Sequence, residues 1–133
     1  KKMSLPNEIV FGSRLIKLDY IDHEIASKKN MFGEFESNKN LITIDKSLDP
    51  IEMSNTLLHE LFHMLHDEYK IELSAKAEEI SCNSLANGMC HILYQNQDLL
   101  EFLYKSLKKV IIPILTITLS VKYGKRREPE KSW

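Results

Sequence analysis

A chain of 133 residues, 43% hydrophobic and 28% charged, with only 4 Gly and 4 Pro, has room for one ordinary domain and the make-up of a folded globular protein, which excludes a disordered or fibrous one. A formal net charge of -1 leaves no mean field to attract nucleic acid or an anionic membrane, so neither is an expected partner. No apolar leader follows Lys1 and Lys2, and the longest apolar run, Val110 to Val121, is broken by Pro113, Thr116, Thr118 and Ser120; it falls short of the ~20 residues that span a bilayer, and no membrane crossing is expected.

From Glu8 to Tyr20, Ile9 and Phe11 and then Leu15-Ile16-Lys17-Leu18-Asp19-Tyr20 alternate loosely around Gly12, which predicts one or two short strands with a turn or bulge at the glycine. Ile21 to Asn30 is polar and reads as a loop or a single helical turn. Met31 to Phe35 and Leu41 to Ile44 flank Glu36-Ser37-Asn38-Lys39-Asn40, the pattern of a β-hairpin with a polar turn. Asp49-Pro50-Ile51-Glu52 starts a helix: Asp49 can cap free amides, Pro50 suits the first helical position, and Glu52 completes a capping-box-like pair. That helix is expected to run to about His66.

Ser74 is the next N-cap. After it, Ala75 to about Tyr94 carries Ile80, Leu85, Ala86, Met89, Ile92 and Leu93 at helical spacing. Beyond Asn96-Gln97-Asp98, the stripe Leu99, Leu100, Phe102, Leu103 and Leu107 predicts a third helix. The β-branched run Ile111 to Val121 reads as a strand or a helix extension, with Pro113 against a central strand. Residues 1–121 are expected to form one domain, and 122–133 a polar, basic tail that frays. Cys82 and Cys90 fall on one helix about 12 Å apart along its axis, too far for a disulfide, and both are expected to be reduced thiols in a cytoplasmic protein.

The chemistry sits in Leu58-His59-Glu60-Leu61-Phe62-His63. On a helix His59 and His63 stand at i and i+4, so both rings leave the same face and can reach a single Zn²⁺ at ~2.0–2.1 Å. Glu60 lies about 100° round the helix from His59, badly placed as a third ligand and well placed to take a proton from the ion's water. Leu57, Leu58, Leu61, Phe62, Met64 and Leu65 around them are apolar, so the helix is expected to be buried on most sides. Polar side chains there need partners, and a metal would supply one.

Catalytic zinc takes a third protein ligand and keeps a position open for water. Glu78 and Glu79, at the start of the next helix, are the candidates. Glu79 has Asn83 one turn on, where an amide can hydrogen-bond a ligand histidine, while Glu78 has Cys82 there; Glu79 is favoured. Ala86 on the same face, and Gly88 after it, are small enough to let the two helices approach closely.

The order Leu41-Ile42-Thr43-Ile44-Asp45, Leu58-His59-Glu60-Leu61-Phe62-His63, Glu79-Ile80-Ser81-Cys82-Asn83-Ser84-Leu85-Ala86-Asn87-Gly88 resembles that of small phage- and mobile-element-encoded metallopeptidases of the ImmA/IrrE type, over roughly residues 8 to 108. Glu79 with Asn83 also resembles the Glu-x-x-x-Asp/Asn element of the gluzincins. The resemblance implies an α+β, zincin-like fold: a small, mostly antiparallel sheet beside the His-Glu-x-x-His helix, and two further helices. It implies His59, His63 and Glu79 as zinc ligands, Glu60 as catalytic base and a protein or peptide substrate. No helix-turn-helix is visible, so repressor cleavage is carried over only as analogy. The competing reading is a metallopeptidase-like scaffold of little or no activity that binds a regulatory protein partner; a third is a DNA-associated peptidase using Lys122, Lys125, Arg126 and Arg127.

Among the remaining residues, His66 is expected to be a partly exposed helix-end histidine, and His23 and His91 have no companion motif. Tyr69, Tyr94 and Tyr104 are the candidates for an oxyanion donor. Cys82 and Cys90 read as small core residues.

Overall fold

In the computed structural model, which describes residues 4–109, a four-stranded sheet precedes the long helices. Strands β1 (Glu8–Phe11) and β2 (Arg14–Ile21) are joined by a tight turn at Gly12, whose φ of 60° suits a residue without Cβ. The stretch after them contains a short helix, α1 (His23–Lys28). Strands β3 (Gly33–Glu36) and β4 (Leu41–Asp45) form the expected hairpin, closed by a 3-10 turn at Ser37–Lys39 and by Asn40 in the left-handed region at φ 47°.

The sheet order is β1-β2-β4-β3. Both hairpin pairings are antiparallel, but the central one, β2 with β4, is parallel, with Lys17 opposite Leu41 and Ile21 opposite Asp45. The sheet is thus mixed, a feature the local patterns do not carry. Alternate residues of the two central strands, Ile16, Leu18, Ile42 and Ile44, are buried on one face, where they pack with Met64. Each such side chain contributes roughly 1.5–3 kcal/mol relative to exposure.

Helix α2 (Pro50–Glu68) covers that face with Met53, Leu57, Leu61 and Leu65 at helical spacing. Its start is as expected: the Asp49 side chain accepts from the Glu52 amide at 2.9 Å, with Pro50 at the first position. Its end is a Schellman turn. The Lys70 amide donates to the Asp67 carbonyl at 3.2 Å and the Ile71 amide to the His66 carbonyl at 2.9 Å, with Lys70 at φ 55°. Arg14 ties this end to the sheet, donating to Glu68 and to Asn40 at 2.8 Å each and to Asp67 at 3.2 Å, with its guanidinium over the Phe35 ring.

Ser74 caps α3 (Ala75–Gln95), its hydroxyl accepting from the Ala77 amide at 3.1 Å. Fully buried Cys82 and Ala86 mark the inner face of this helix. Gly88 does not share that packing, since a Cβ there would meet nothing within 4 Å. The described residues up to Gln95 form one unit and a second begins at Asn96. In the second, α4 (Gln97–Leu107) carries a Glu101–Lys105 ion pair one turn apart. The readings for Ile111 to Val121 and for the tail fall outside the described residues. Among those described, no helix is long and apolar enough to cross a membrane, and both cysteines are free thiols.

Candidate metal centre

Helices α2 and α3 bring three donor groups together. The Nε2 atoms of His59 and His63 lie 3.0 Å apart, and Glu79 places Oε1 3.0 Å from the first and Oε2 3.0 Å from the second. All three ligand atoms fall within 4.8 Å of one another, a group able to hold a metal ion. Tetrahedral bonds of ~2.0–2.1 Å from a common ion would separate two ring nitrogens by about 3.3 Å, so the spacing suits one small cation bound by nitrogen and oxygen.

The two neighbouring glutamates play different parts. Glu79 faces both Nε2 atoms, whereas Glu78 Oε2 accepts a hydrogen bond of 2.6 Å from Nδ1 of His63. An ionised carboxylate only accepts, so Nδ1 carries the proton and Nε2 keeps its lone pair for the Glu79 side. The Asn83 side chain, beside the His59 ring in the cleft, favours its protonated form. Burial holds the His59 pKa below its ordinary value, with Glu79 pulling the other way.

Glu60 leaves α2 toward β3 and is buried at 6% exposure. Burial raises its pKa to about 7, and the Glu79 charge adds to this while His63 and a hydrogen bond from the Phe35 amide oppose it. Gly33 makes room for this carboxylate. A Cβ there would lie 2.7 Å from Cγ2 of Thr56, 2.9 Å from the Thr43 carbonyl and 3.4 Å from Cγ of Glu60. The sequence signal for this contact is Gly33 itself, since a glycine inside a strand pattern marks a close approach. Glu78, a ligand candidate by its position in the sequence, is here the partner of His63 Nδ1.

These groups line a cleft of about 920 Å³ between β3, α2 and the first half of α3. Asn55 and Asn87 bridge its walls, Nδ2 to Oδ1, at 2.7 Å. His66 is not the partly exposed helix-end histidine expected. It is 7% exposed, donates from Nδ1 to the Phe62 carbonyl at 2.6 Å and meets Ser81 and Cys82 of α3. Neither Tyr69 nor Tyr94 lines the cleft: Tyr69 packs edge-on against Phe11 with ring centroids 6.0 Å apart, and Tyr94 lines a separate cavity. Tyr104, on α4 of the second unit, lies under the Lys108 ammonium. His23 has a structural partner, its Nδ1 lying 2.8 Å from the buried Asp45 carboxylate. His91 stands on the wall of the separate cavity.

No curated protein and no solved structure gives a match to this chain. A family model does, across residues 11–124, and it spans β2 to β4, α2 and the two glutamates: the chain belongs to the IrrE N-terminal-like domain family, Peptidase_M78.

Proposed function

We propose that this protein is a zinc-dependent peptidase in which His59, His63 and Glu79 hold the ion and Glu60 is the catalytic base. The observation that carries the reading is the convergence of three donor atoms within 4.8 Å on the wall of a cleft that also buries Glu60. Membership of a metallopeptidase family supports it. Two neutral imidazoles and one carboxylate leave a fourth position for water, the donor set of catalytic zinc sites.

Zinc held there supplies Lewis acidity, lowering the pKa of water in the open position and polarising a peptide carbonyl. Glu60 accepts the proton of the attacking water on its carboxylate as the new C–O bond forms, and returns it to the amine as the C–N bond breaks. The Phe35 backbone, which favours the ionised form of Glu60, and the gap at Gly33 leave that carboxylate its place in the cleft. Glu78 orients the His63 ring from its Nδ1 side, and Asn83 lies beside the His59 ring.

A peptide suits the cleft. Strand β3 is the outer strand of the sheet and lines the cleft with Gly33, Glu34 and Phe35, so an extended chain can add to its free edge through main-chain hydrogen bonds. The test is metal analysis together with Glu60→Gln. The purified protein is expected to carry one zinc per chain, lost on His59→Ala with His63→Ala. Glu60→Gln is expected to keep the zinc and lose peptide cleavage by several orders of magnitude. Full cleavage by Glu60→Gln, or unchanged zinc in the double histidine variant, would sink the assignment.

A further inference from the structure

Resting on the peptidase reading, we infer that the smaller cavity beyond the Asn55–Asn87 bridge is a substrate pocket that receives an apolar side chain from the part of the peptide following the scissile bond. The cavity measures about 330 Å³ and is lined by Ile51, Asn55, Asn87, Cys90, His91 and Tyr94. It lies between the first turn and a half of α2 and the second half of α3. Asn55 and Asn87 also line the main cleft, so the hydrogen-bonded amide pair is a wall that the two cavities share.

Its chemistry differs from that of the cleft. Around the metal centre the walls carry Glu34, Glu52, Glu72, Glu78 and Glu79; the far cavity has no acidic group among its described residues and offers Ile51, the Cys90 thiol and the Tyr94 ring. Ile51 stands 60% exposed beside it. An isoleucine left open at a cavity mouth is stabilised by an apolar partner. A peptide lying in the cleft brings one within reach.

Direction and distance follow from the strands. Gly33 lies against Thr56 and Glu60, and Ser37 donates to Asp67 at 2.8 Å, so β3 runs the same way as α2. Antiparallel addition to β3, the more stable pairing, sends a bound peptide the opposite way, with the residues after the scissile bond heading toward Ile51. Ile51 precedes His59 by about 12 Å of helix axis, and an extended chain covers that distance in about three to four residues. The pocket therefore reads the third or fourth residue after the cleaved bond, and leucine, methionine, phenylalanine and tyrosine fit its size and lining.

The experiment uses the zinc-loaded full chain and a random octapeptide library, with product sequencing and with alkylation of Cys90 by iodoacetamide as a readout that needs no turnover. Cys82 is fully buried and Cys90 only half-buried, so Cys90 is the thiol that reacts. Apolar residues are expected to be enriched at the third or fourth position after the cut. That enrichment should fall several-fold in Ile51→Asp, an exposed position in the first turn of a helix where an aspartate is well tolerated, while the pool is still cleaved. The library should also slow alkylation of Cys90 several-fold in the zinc-loaded Glu60→Gln protein. Cleavage without that enrichment, enrichment before the cut, enrichment unchanged in Ile51→Asp, or an unprotected Cys90 overturns the pocket and leaves the peptidase reading standing. Protection of Cys90 without any cleavage by the wild-type protein removes the hydrolytic reading and overturns with it a pocket defined by the cut; absence of both removes the two together. Protection that rises with protein concentration and without peptide assigns the cavity to a second copy of the chain, and overturns the inference.

Discussion

Nδ1 of His63 donates to Oε2 of Glu78 at 2.6 Å, while Nε2 of the same ring lies 3.0 Å from Oε2 of Glu79. Consecutive residues of one helix thus hold a single imidazole from both sides, and only one of them is free to act as a ligand. Glu78→Gln can still occupy the space but no longer offers two acceptor oxygens to a fixed N–H. Zinc affinity is expected to fall about 10- to 100-fold, the usual cost of losing an orienting carboxylate, with stoichiometry kept at saturating zinc. Competition against a chromophoric chelator measures this. Glu79→Gln should weaken binding more; equal affinities for wild type and Glu78→Gln would show that His63 needs no orienting partner.

Gly33 tests the fit between sheet and helix. Adding one methyl places Cβ 2.7 Å from Thr56 Cγ2 and 2.9 Å from the Thr43 carbonyl, closer than packed atoms come, so β3 and α2 must part. Gly33→Ala is expected to cost about 1–3 kcal/mol in denaturant unfolding and to lower kcat while zinc remains bound, since Glu60 Cγ is the next atom away. Thr56→Ala in the same chain removes the nearer clash and should recover part of the stability. A Gly33→Ala protein as stable and active as wild type would mean that the approach is not needed.

Much of this arrangement is local, and for that reason legible in the sequence. The Asp49 cap, the apolar stripe of α2 and the i, i+4 placement of His59 and His63 involve residues within a few positions of each other. Glu79 was reachable because the connection from α2 to α3 is short. What the sequence hid depends on contacts between distant segments. The parallel pairing of β2 with β4 joins strands separated by a helix and another strand. His66 looked exposed because Ser81 and Cys82, which cover it, arrive from α3. Tyr69 and Tyr94 lie outside the cleft because their surroundings come from other elements, Phe11 of β1 and Ile51 of α2.

Asp45 gives the fold an acid limit. It is 1% exposed and accepts from His23, the Ser47 amide and the Ser47 hydroxyl at 2.8–2.9 Å. Burial alone would raise its pKa, but these bonds outweigh it and leave the carboxyl below its ordinary value. A carboxyl whose folded pKa is depressed stabilises the fold above its unfolded pKa of ~3.9, and that contribution is lost as pH falls through the folded value. Asp45→Asn is expected to lose about 1–3 kcal/mol at neutral pH and to flatten the decline in stability below pH ~4. Urea unfolding at a series of pH values measures both; a variant that keeps the wild-type slope would assign the acid limit to other carboxylates.

Zinc should also act as a folding ligand. The donor atoms of His59, His63 and Glu79 converge only when α2 and α3 are packed together, so the folded chain binds the ion far better than the unfolded one. Free zinc at a hundred times its dissociation constant then adds about 2.7 kcal/mol, a rise in Tm on the order of 10 °C for a chain of this size. Glu60→Gln keeps all three ligands and should show the full rise. His59→Ala with His63→Ala leaves one carboxylate, and its Tm should be the same with zinc or with a chelator. Differential scanning calorimetry of the three proteins, each with zinc and with chelator, separates the outcomes. If the double variant is stabilised as much as wild type, the ion binds elsewhere, and the α2–α3 site is not the metal centre.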